Sequence, residues 1–346
     1  MKHLNRTTVP RPTSGPTEDG GGGAITFADV YPDILAAHIL TRLDGPTLAA
    51  TSCASAQLHS LSAQDHHLWA AACLSAWPST AAIPRLLSTF PGGPRSFFSL
   101  SYPLLLPNPA AAATSPPPPE LISAVDIYHK GAAIFSKVQE TETLSAWFLC
   151  SPFRIDALDP KNFISTTIRH PDDGSSCTQL GAEMTLSWVL IDPVSRRAAN
   201  LSCHKPVAVQ RHWLSGEVLL RFGTVVSGCR NKKRRDDLVH CSILVTGGAS
   251  ESGDMQIREV SLKVEDMDGM QLTGKESLAV FHRALDGKRG KKKTREEEGK
   301  RRYREFLEMK RERRERKLKA EGTLDALCVA FGVSISVAFL GLFLLG

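Results

Sequence analysis

The chain has 346 residues, enough for two or three domains, and its 42% apolar and 23% charged residues are the proportions of ordinary globular material. Its 42 Lys and Arg exceed its 36 Asp and Glu, but residues 288–321 alone hold 17 basic and 8 acidic side chains, a net +9, which leaves the remainder at −3. The positive charge is therefore one segment and not a basic surface, which argues against a nucleic-acid-binding body.

Residues 1–24 are rich in Pro, Gly and Thr with no apolar run, so they read as a disordered tail and not as a signal peptide. Over 25–77 the apolar period is helical. Pro32 opens a helix to about Leu43, with Asp33 in its first turn and Ile34, Leu35, Ile39, Leu40 and Leu43 along one face. Asp44-Gly45 stops that helix, Pro46 opens the next, and Leu48, Leu58, Leu61, Leu68 and Trp69 continue the apolar set. A unit of about 50 residues covers too little apolar surface to stand alone, so this module is expected to have a partner. Residues 78–106 are mixed, broken by Pro78, Pro84, Pro91, Pro94 and Pro103, and 107–119 read as a stiff Pro/Ala linker.

From 120 to 286 the period changes to two. Ser123–Lys130 and Gly131–Val138 read as a hairpin turning at Lys130-Gly131. Further strands are expected at Ser145–Cys150, Glu183–Ile191, Ala198–His204, Glu217–Val226, His240–Thr246 and Gln256–Val264, with an exposed loop at Arg230–Asp237. Short strands at this spacing predict an antiparallel, sandwich-like domain.

Residues 287–321 predict a basic charged helix, supported by Glu297–Arg301, Glu298–Arg302, Glu312–Arg316 and Glu315–Lys319 in the favourable acid-to-base order. The stretch from Lys288 to Arg295 admits three readings: a solvated membrane-proximal face, attraction to anionic headgroups, or a nuclear-import or nucleic-acid patch. Lys291, Lys292, Lys293, Arg313 and Arg314 are the membrane-proximal basic candidates. Ala326–Gly346 carries no charge, and its 21 residues span roughly 31 Å as a helix, enough for a bilayer core. Residues 322–346 are therefore expected to be a single transmembrane helix. With no N-terminal signal, the chain reads as tail-anchored with its bulk in the cytosol. The endoplasmic reticulum is the favoured membrane and the nuclear envelope the alternative.

Chemistry-bearing patterns are missing: no G-x-S-x-G, G-x-x-x-x-G-K-[ST], H-E-x-x-H or strand-linked G-x-G-x-x-G occurs, and Gly20 to Gly23 lack the Lys of a phosphate loop. The eight cysteines include no C-x-x-C, so small buried thiols are expected rather than a metal site. No catalytic residue, metal or cofactor is assigned.

The fragments Asp29–Leu35, His38–Asp44, Thr47–Ala49, Leu58–Leu61 and His67–Trp69 resemble an F-box, with Tyr31 where that family usually has Leu. Leu43–Ala49, Phe90–Phe98, Val125–Gly131 and Trp147–Phe153 extend the likeness to a group of plant F-box proteins. The resemblance implies an α+β chain: a helical F-box module, then an antiparallel substrate-recognition domain. It also implies docking on a Skp-type adaptor, and through it a cullin, in an SCF-type ubiquitin ligase. The chain would be a non-catalytic receptor presenting an unidentified protein substrate. Tyr31, Pro32, Ile34, Leu35, Ile39, Leu40, Leu43, Leu48, Leu58, Leu61 and Trp69 would then face the adaptor or form the module core. The strand-rich region also looks like phloem-lectin domains around Trp147-Phe148, the Trp188 strand, Gln210–Gly216 and Val260–Val264. Trp147, Trp188 and Trp213 could form an aromatic platform there, or each could be core. A lectin-like or scaffold membrane protein with a degenerate F-box is the alternative.

Overall fold

The computed structural model describes residues 30–106, 118–228, 238–287, 289–290 and 295–345. The expected tail at 1–24, residues 107–117 of the linker, the Arg230–Asp237 loop, and Lys291, Lys292 and Lys293 lie outside the described residues. The chain divides into two compact units, residues 1–42 and 43–346.

In the first unit Pro32 starts α1 (Pro32–Ile34) at the position where its fixed φ and missing N–H fit a helix. The expected single helix to Leu43 is instead three short pieces, because α1 runs into a π turn at Leu35–Ile39 and a 3-10 turn at Leu40–Arg42. The Thr41 hydroxyl donates to the Ala37 carbonyl at 2.8 Å, a local bond that competes with a regular ladder.

The second unit begins with five helices: α2 (Gly45–Ser52), α3 (Ala56–Gln64), α4 (His66–Ala76), α5 (Pro84–Thr89) and α6 (Gly93–Ser101). Ten strands follow. β1 (Glu120–His129), β2 (Ala132–Glu142), β5 (Met184–Asp192) and β6 (Arg197–Asn200) form one antiparallel sheet in the order β2-β1-β5-β6. β3 (Arg154–Asp156), β10 (Asp254–Asp266), β9 (Leu238–Ala249), β8 (Val218–Ser227) and β7 (Ala208–Arg211) form the other in that order, and β4 (Ile164–Arg169) also pairs with β10. Alternate side chains from both sheets enter one core, among them Val125, Ile127, Leu186, Trp188, Phe222, Ile243 and Leu262. The β1–β2 turn falls where the sequence puts it. Lys130 and Gly131 both have positive φ, 51° and 83°, as a two-residue hairpin of matching twist requires.

Four elements of the second unit differ from the sequence expectation. Ser145–Cys150 is not a strand: the Ser145 hydroxyl accepts the Phe148 N–H at 3.3 Å and caps the short helix α7 (Ala146–Cys150). Two further helices, α8 (Gly174–Glu183) and α9 (Gly274–Asp286), lie inside the strand-rich region, each opened by a reciprocal capping box, Asp173/Ser176 and Thr273/Glu276. The charged segment and the apolar segment are one unbroken helix, α10 (Arg295–Leu345), with no boundary at 321/322.

The N-terminal half of α10 is docked along one face, and its other face is exposed. Gly299 lies so close to Cys203 that a Cβ there would come within 2.4 Å of the cysteine Cβ. Tyr303 and Phe306 cover the His240 ring at 5.0 and 5.8 Å, and Phe306 is 2% exposed. Burial beneath them pushes the His240 pKa down to about 3, so the ring is neutral. Arg313 and Lys317 both bind the Asp268 carboxylate, at 2.9 and 2.8 Å. Of the two membrane-proximal basic candidates described, Arg313 is thus engaged in an intramolecular ion pair and Arg314 is exposed. Of the four expected helix pairs, Glu298–Arg302 (2.6 Å) and Glu312–Arg316 (3.8 Å) form, while Arg301 binds Glu298 and Glu305.

Arg289 locks the helices to the sheets. Its Nε donates to the Leu100 carbonyl, Nη1 to Ala284 and Gly287, and Nη2 to Ala198 and Leu285, all at 3.0–3.1 Å or less. All five guanidinium hydrogens are used, on carbonyls from the end of α6, from β6 and from the end of α9. Burial, reinforced by the nearby Arg197 charge, lowers its pKa to about 10, so it stays charged at neutral pH. Arg289 also bridges backbone to backbone with Leu105, and the Gly290 N–H donates to Leu104 at 2.7 Å.

Lys cannot reproduce a planar five-donor fork, so Arg289→Lys is expected to lower unfolding free energy by about 2–4 kcal/mol in urea denaturation. The ion pairs hold Asp268 below its ordinary pKa of 3.8, with the Lys317 hydrogen bond as the main cause. A carboxylate depressed in the folded state stabilises above its unfolded pKa, and that contribution is lost as pH falls through the folded value. Hydrogen exchange at the amides of 306–317 should therefore be slow and pH-insensitive, after intrinsic correction, from neutrality down to about pH 4 and should accelerate below it. Asp268→Asn should exchange faster throughout.

Candidate docking site

Side-chain caps set the starts of α2, α3 and α4. Asp44 accepts the Thr47 N–H at 2.9 Å and starts α2, and Pro46 follows in its first turn. Ser55 accepts Leu58 N–H at 3.2 Å for α3, and Asp65 accepts His67 and Leu68 N–H at 2.8 and 3.2 Å for α4. Gly45 is obligatory for packing, since a Cβ there would sit 2.1 Å from the Phe98 ring.

Trp69 is the centre of this arrangement. It is 3% exposed, its Nε1 donates to the Ser62 carbonyl at 2.9 Å, and its ring lies 5.6 Å from Phe98. Phe98 also meets Trp77 at 5.3 Å and stacks on Tyr102 at 5.2 Å, while Phe97 meets Trp77 and Phe90 edge-on. α6 thus supplies half of the aromatic core around α4. Sequence reasoning left Phe90, Phe97 and Phe98 in a mixed extension, although the Phe-Phe pair spaced one helical turn and more from its prolines was visible. Cys73 lies in the same core, and burial pushes its thiol up to about 12. Cys53, Cys150 and Cys328 are exposed, contrary to the expectation of uniformly buried thiols.

The expected docking residues separate by exposure. In the first unit Tyr31 is 76% and Ile34 46% exposed, Pro32 is exposed, Ile39 is half-buried, and Leu35 and Leu40 are buried. In the second, Leu48, Leu58 and Trp69 are buried and Leu43 and Leu61 half-buried. The stripe at Leu35 and Leu40 serves folding, and the apolar surface left bare is Tyr31, Pro32 and Ile34.

The helices join the sheet through polar bonds that the sequence did not reveal. On β1, Val125 and Ile127 enter the core while Asp126 and Tyr128 point to the opposite side. Asp126 is fully buried and accepts from the Ser79 N–H at 2.8 Å and the Ser79 hydroxyl at 2.6 Å. Desolvation raises its pKa against those bonds. The Tyr128 hydroxyl donates to the Ala76 carbonyl at 2.7 Å, at the end of α4.

The two readings left open for the three tryptophans of the strand region, platform or core, divide by residue. Trp188 is fully buried, with its Nε1 donating to the Ser123 hydroxyl at 3.1 Å, so it offers no surface. Trp147 and Trp213 are 79% and 86% exposed. Trp213 and the exposed Leu214 sit on a braced turn, where Ser215 Oγ lies 3.0 Å from His212 Nδ1 and Glu217 binds Arg258 at 3.3 Å. Among the described residues no group of three His, Cys, Asp or Glu is arranged to hold a metal ion.

Three curated proteins of Arabidopsis thaliana are similar to this chain over most of its length. "Probable F-box protein At2g36090" is 46% identical over 89% of this chain and 90% of its own. "F-box protein At2g27310" is 39% identical over 90% and 94%, and "F-box protein At3g44326" 43% identical over 86% and 84%. No family model matches the chain. No solved structure matches it.

Trp69→Ala should cost about 3–5 kcal/mol of unfolding free energy, as removal of a large buried ring does. Trp213→Ala should change it by less than about 0.5 kcal/mol. Urea denaturation monitored by far-UV circular dichroism measures both.

Proposed function

The chain belongs to the family of plant F-box proteins, and from that premise we propose that it is the substrate-receptor subunit of an SCF-type cullin-RING ubiquitin ligase. The observation that carries this reading is the division of the F-box-like residues. Leu35 and Leu40 are buried, while Tyr31, Pro32 and Ile34 present a bare apolar edge at the module's start. Such an edge suits a Skp-type adaptor, whose binding would remove it from water. The receptor performs no chemistry itself. It raises the local concentration of a target beside a recruited ubiquitin-conjugating enzyme, so catalysis is by proximity. The braced Trp213-Leu214 turn and Trp147 are the aromatic groups open to a protein substrate.

α10 tethers this assembly to a membrane in the same proposal. Beyond the Lys317 ion pair the helix leaves Leu324, Leu327, Val329, Phe331, Val333, Val337 and Leu340 each more than half exposed, and this part is long and apolar enough to cross a bilayer. A hydrocarbon surroundings accounts for a helix bare on all sides, which water does not. The endoplasmic reticulum is the proposed membrane.

Tyr31→Asp combined with Ile34→Asp is expected to reduce adaptor recovery in a pull-down at least tenfold, since a charge must be buried in the contact. Both residues are exposed, so the melting temperature should not move; undiminished recovery would overturn the docking assignment. Separately, truncation after Glu321 should release the protein from carbonate-washed membranes. A truncated chain that stays in the pellet contradicts the tether.

A further inference from the structure

A cavity of about 700 Å³ lies within the second unit, between α2, the end of α6 with the 102–106 segment, and the start of α10. Its volume is that of a site for a small organic molecule. Pro46, Ala49, Phe98, Tyr102 and Leu104 give it mostly apolar walls.

The charges in the wall are unequal. Glu298 is bound by Arg301 and Arg302, which hold it below the usual carboxylate range, and Arg302 also donates to the Leu105 carbonyl at 2.7 Å. Arg95 is different. Its guanidinium lies over the Trp69 ring at 5.8 Å, half-buried, and among the described residues no carboxylate lies within ion-pair distance of it. Among the described residues the cavity wall therefore has one guanidinium without a carboxylate partner, set over an aromatic ring. A cation set against apolar walls is poorly solvated, and a carboxylate meets its planar fork with two parallel hydrogen bonds.

We propose that this cavity is a binding site for a small organic monocarboxylate with an apolar body, its carboxylate on Arg95 and its body along Ala49, Phe98 and Leu104. No part of this assignment depends on adaptor docking or on the membrane tether. Because α2 forms one wall and α10 the other, an occupant bridges the two elements, and its binding stabilises the folded unit by mass action.

The test uses the full chain in lipid nanodiscs, titrated calorimetrically with 4-phenylbutyrate and, in parallel, its neutral amide. The expected result is saturable one-site binding of the acid, at least about tenfold tighter than the amide. Arg95→Gln should remove that preference while leaving amide binding unchanged, and Ala49→Leu should weaken both probes by filling the cavity. Arg95→Gln breaks no ion pair among the described residues and keeps a polar side chain, so the variant should keep the parent melting temperature. If Ala49→Leu does not fold, the acid-to-amide ratio in the parent and in Arg95→Gln decides alone. Equal binding of acid and amide, an unchanged ratio in Arg95→Gln, or no saturable heat at millimolar probe would overturn the assignment.

Discussion

The second unit depends on one buried guanidinium. Among the described residues Arg289 has no ion pair with a carboxylate; its five hydrogens go to five main-chain carbonyls of three separate elements. Three of those carbonyls belong to the end of α9, where the last turn leaves acceptors without partners and attracts positive charge. The remaining two, Leu100 and Ala198, belong to the helical region and to β6. A single side chain thus closes the C-terminus of one helix and fixes its position against a sheet edge and a second helix. The adjoining contact of Leu104 and Leu105 with Arg289 and Gly290 then determines where α10 begins.

Around that lock the same principle recurs: surfaces that a purely apolar core would leave free to slide are pinned by buried polar groups. Asp126 accepts from both the backbone and the hydroxyl of Ser79, and Tyr128 reaches the last turn of α4. β1 is therefore buried on both faces, one apolar and one hydrogen-bonded. α10 docks by three means in succession: close approach at Gly299, aromatic cover of His240 by Tyr303 and Phe306, and the Asp268 ion pairs. The result is that the segment richest in positive charge is anchored by its own acid–base pairs, and only its outer face remains available to other anions.

Much of the strand order was legible. The hairpin at Lys130-Gly131 was readable because a glycine, which tolerates positive φ, stands between two alternating runs. The long strands β5, β8, β9 and β10 were readable from the same alternation. The short strands β3, β4 and β7 were not, because three to six residues show no period above chance. α8 and α9 were overlooked despite their capping boxes, since their apolar residues were counted into the surrounding strand pattern. Trp188 shows the opposite failure: aromatic residues look alike in sequence whether a hydroxyl such as Ser123 waits in the core for the indole N–H or not. Of the docking residues, the sequence marked the apolar stripe but could not separate Leu35 and Leu40, which are buried, from Tyr31 and Ile34, which are bare. One helical period holds both sets, and exposure depends on what packs alongside.

The sequence by itself determined the family likeness, the change from helical to alternating period near residue 120, and the segregation of charge from the apolar run at the end. Those features are local: they reside in composition, spacing and turn chemistry. Tertiary structure alone decided that the charged and apolar segments are one helix, that Arg289 and Arg313 are internal partners, and that Arg95, without a carboxylate partner among the described residues, lines a mostly apolar cavity. The Arg313 and Arg289 contacts join groups about 45 and 190 residues apart, Asp268 with Arg313 and Leu100 with Arg289. No local pattern encodes which distant carbonyl or carboxylate a long basic side chain will reach; the packing of the sheets and helices between them does.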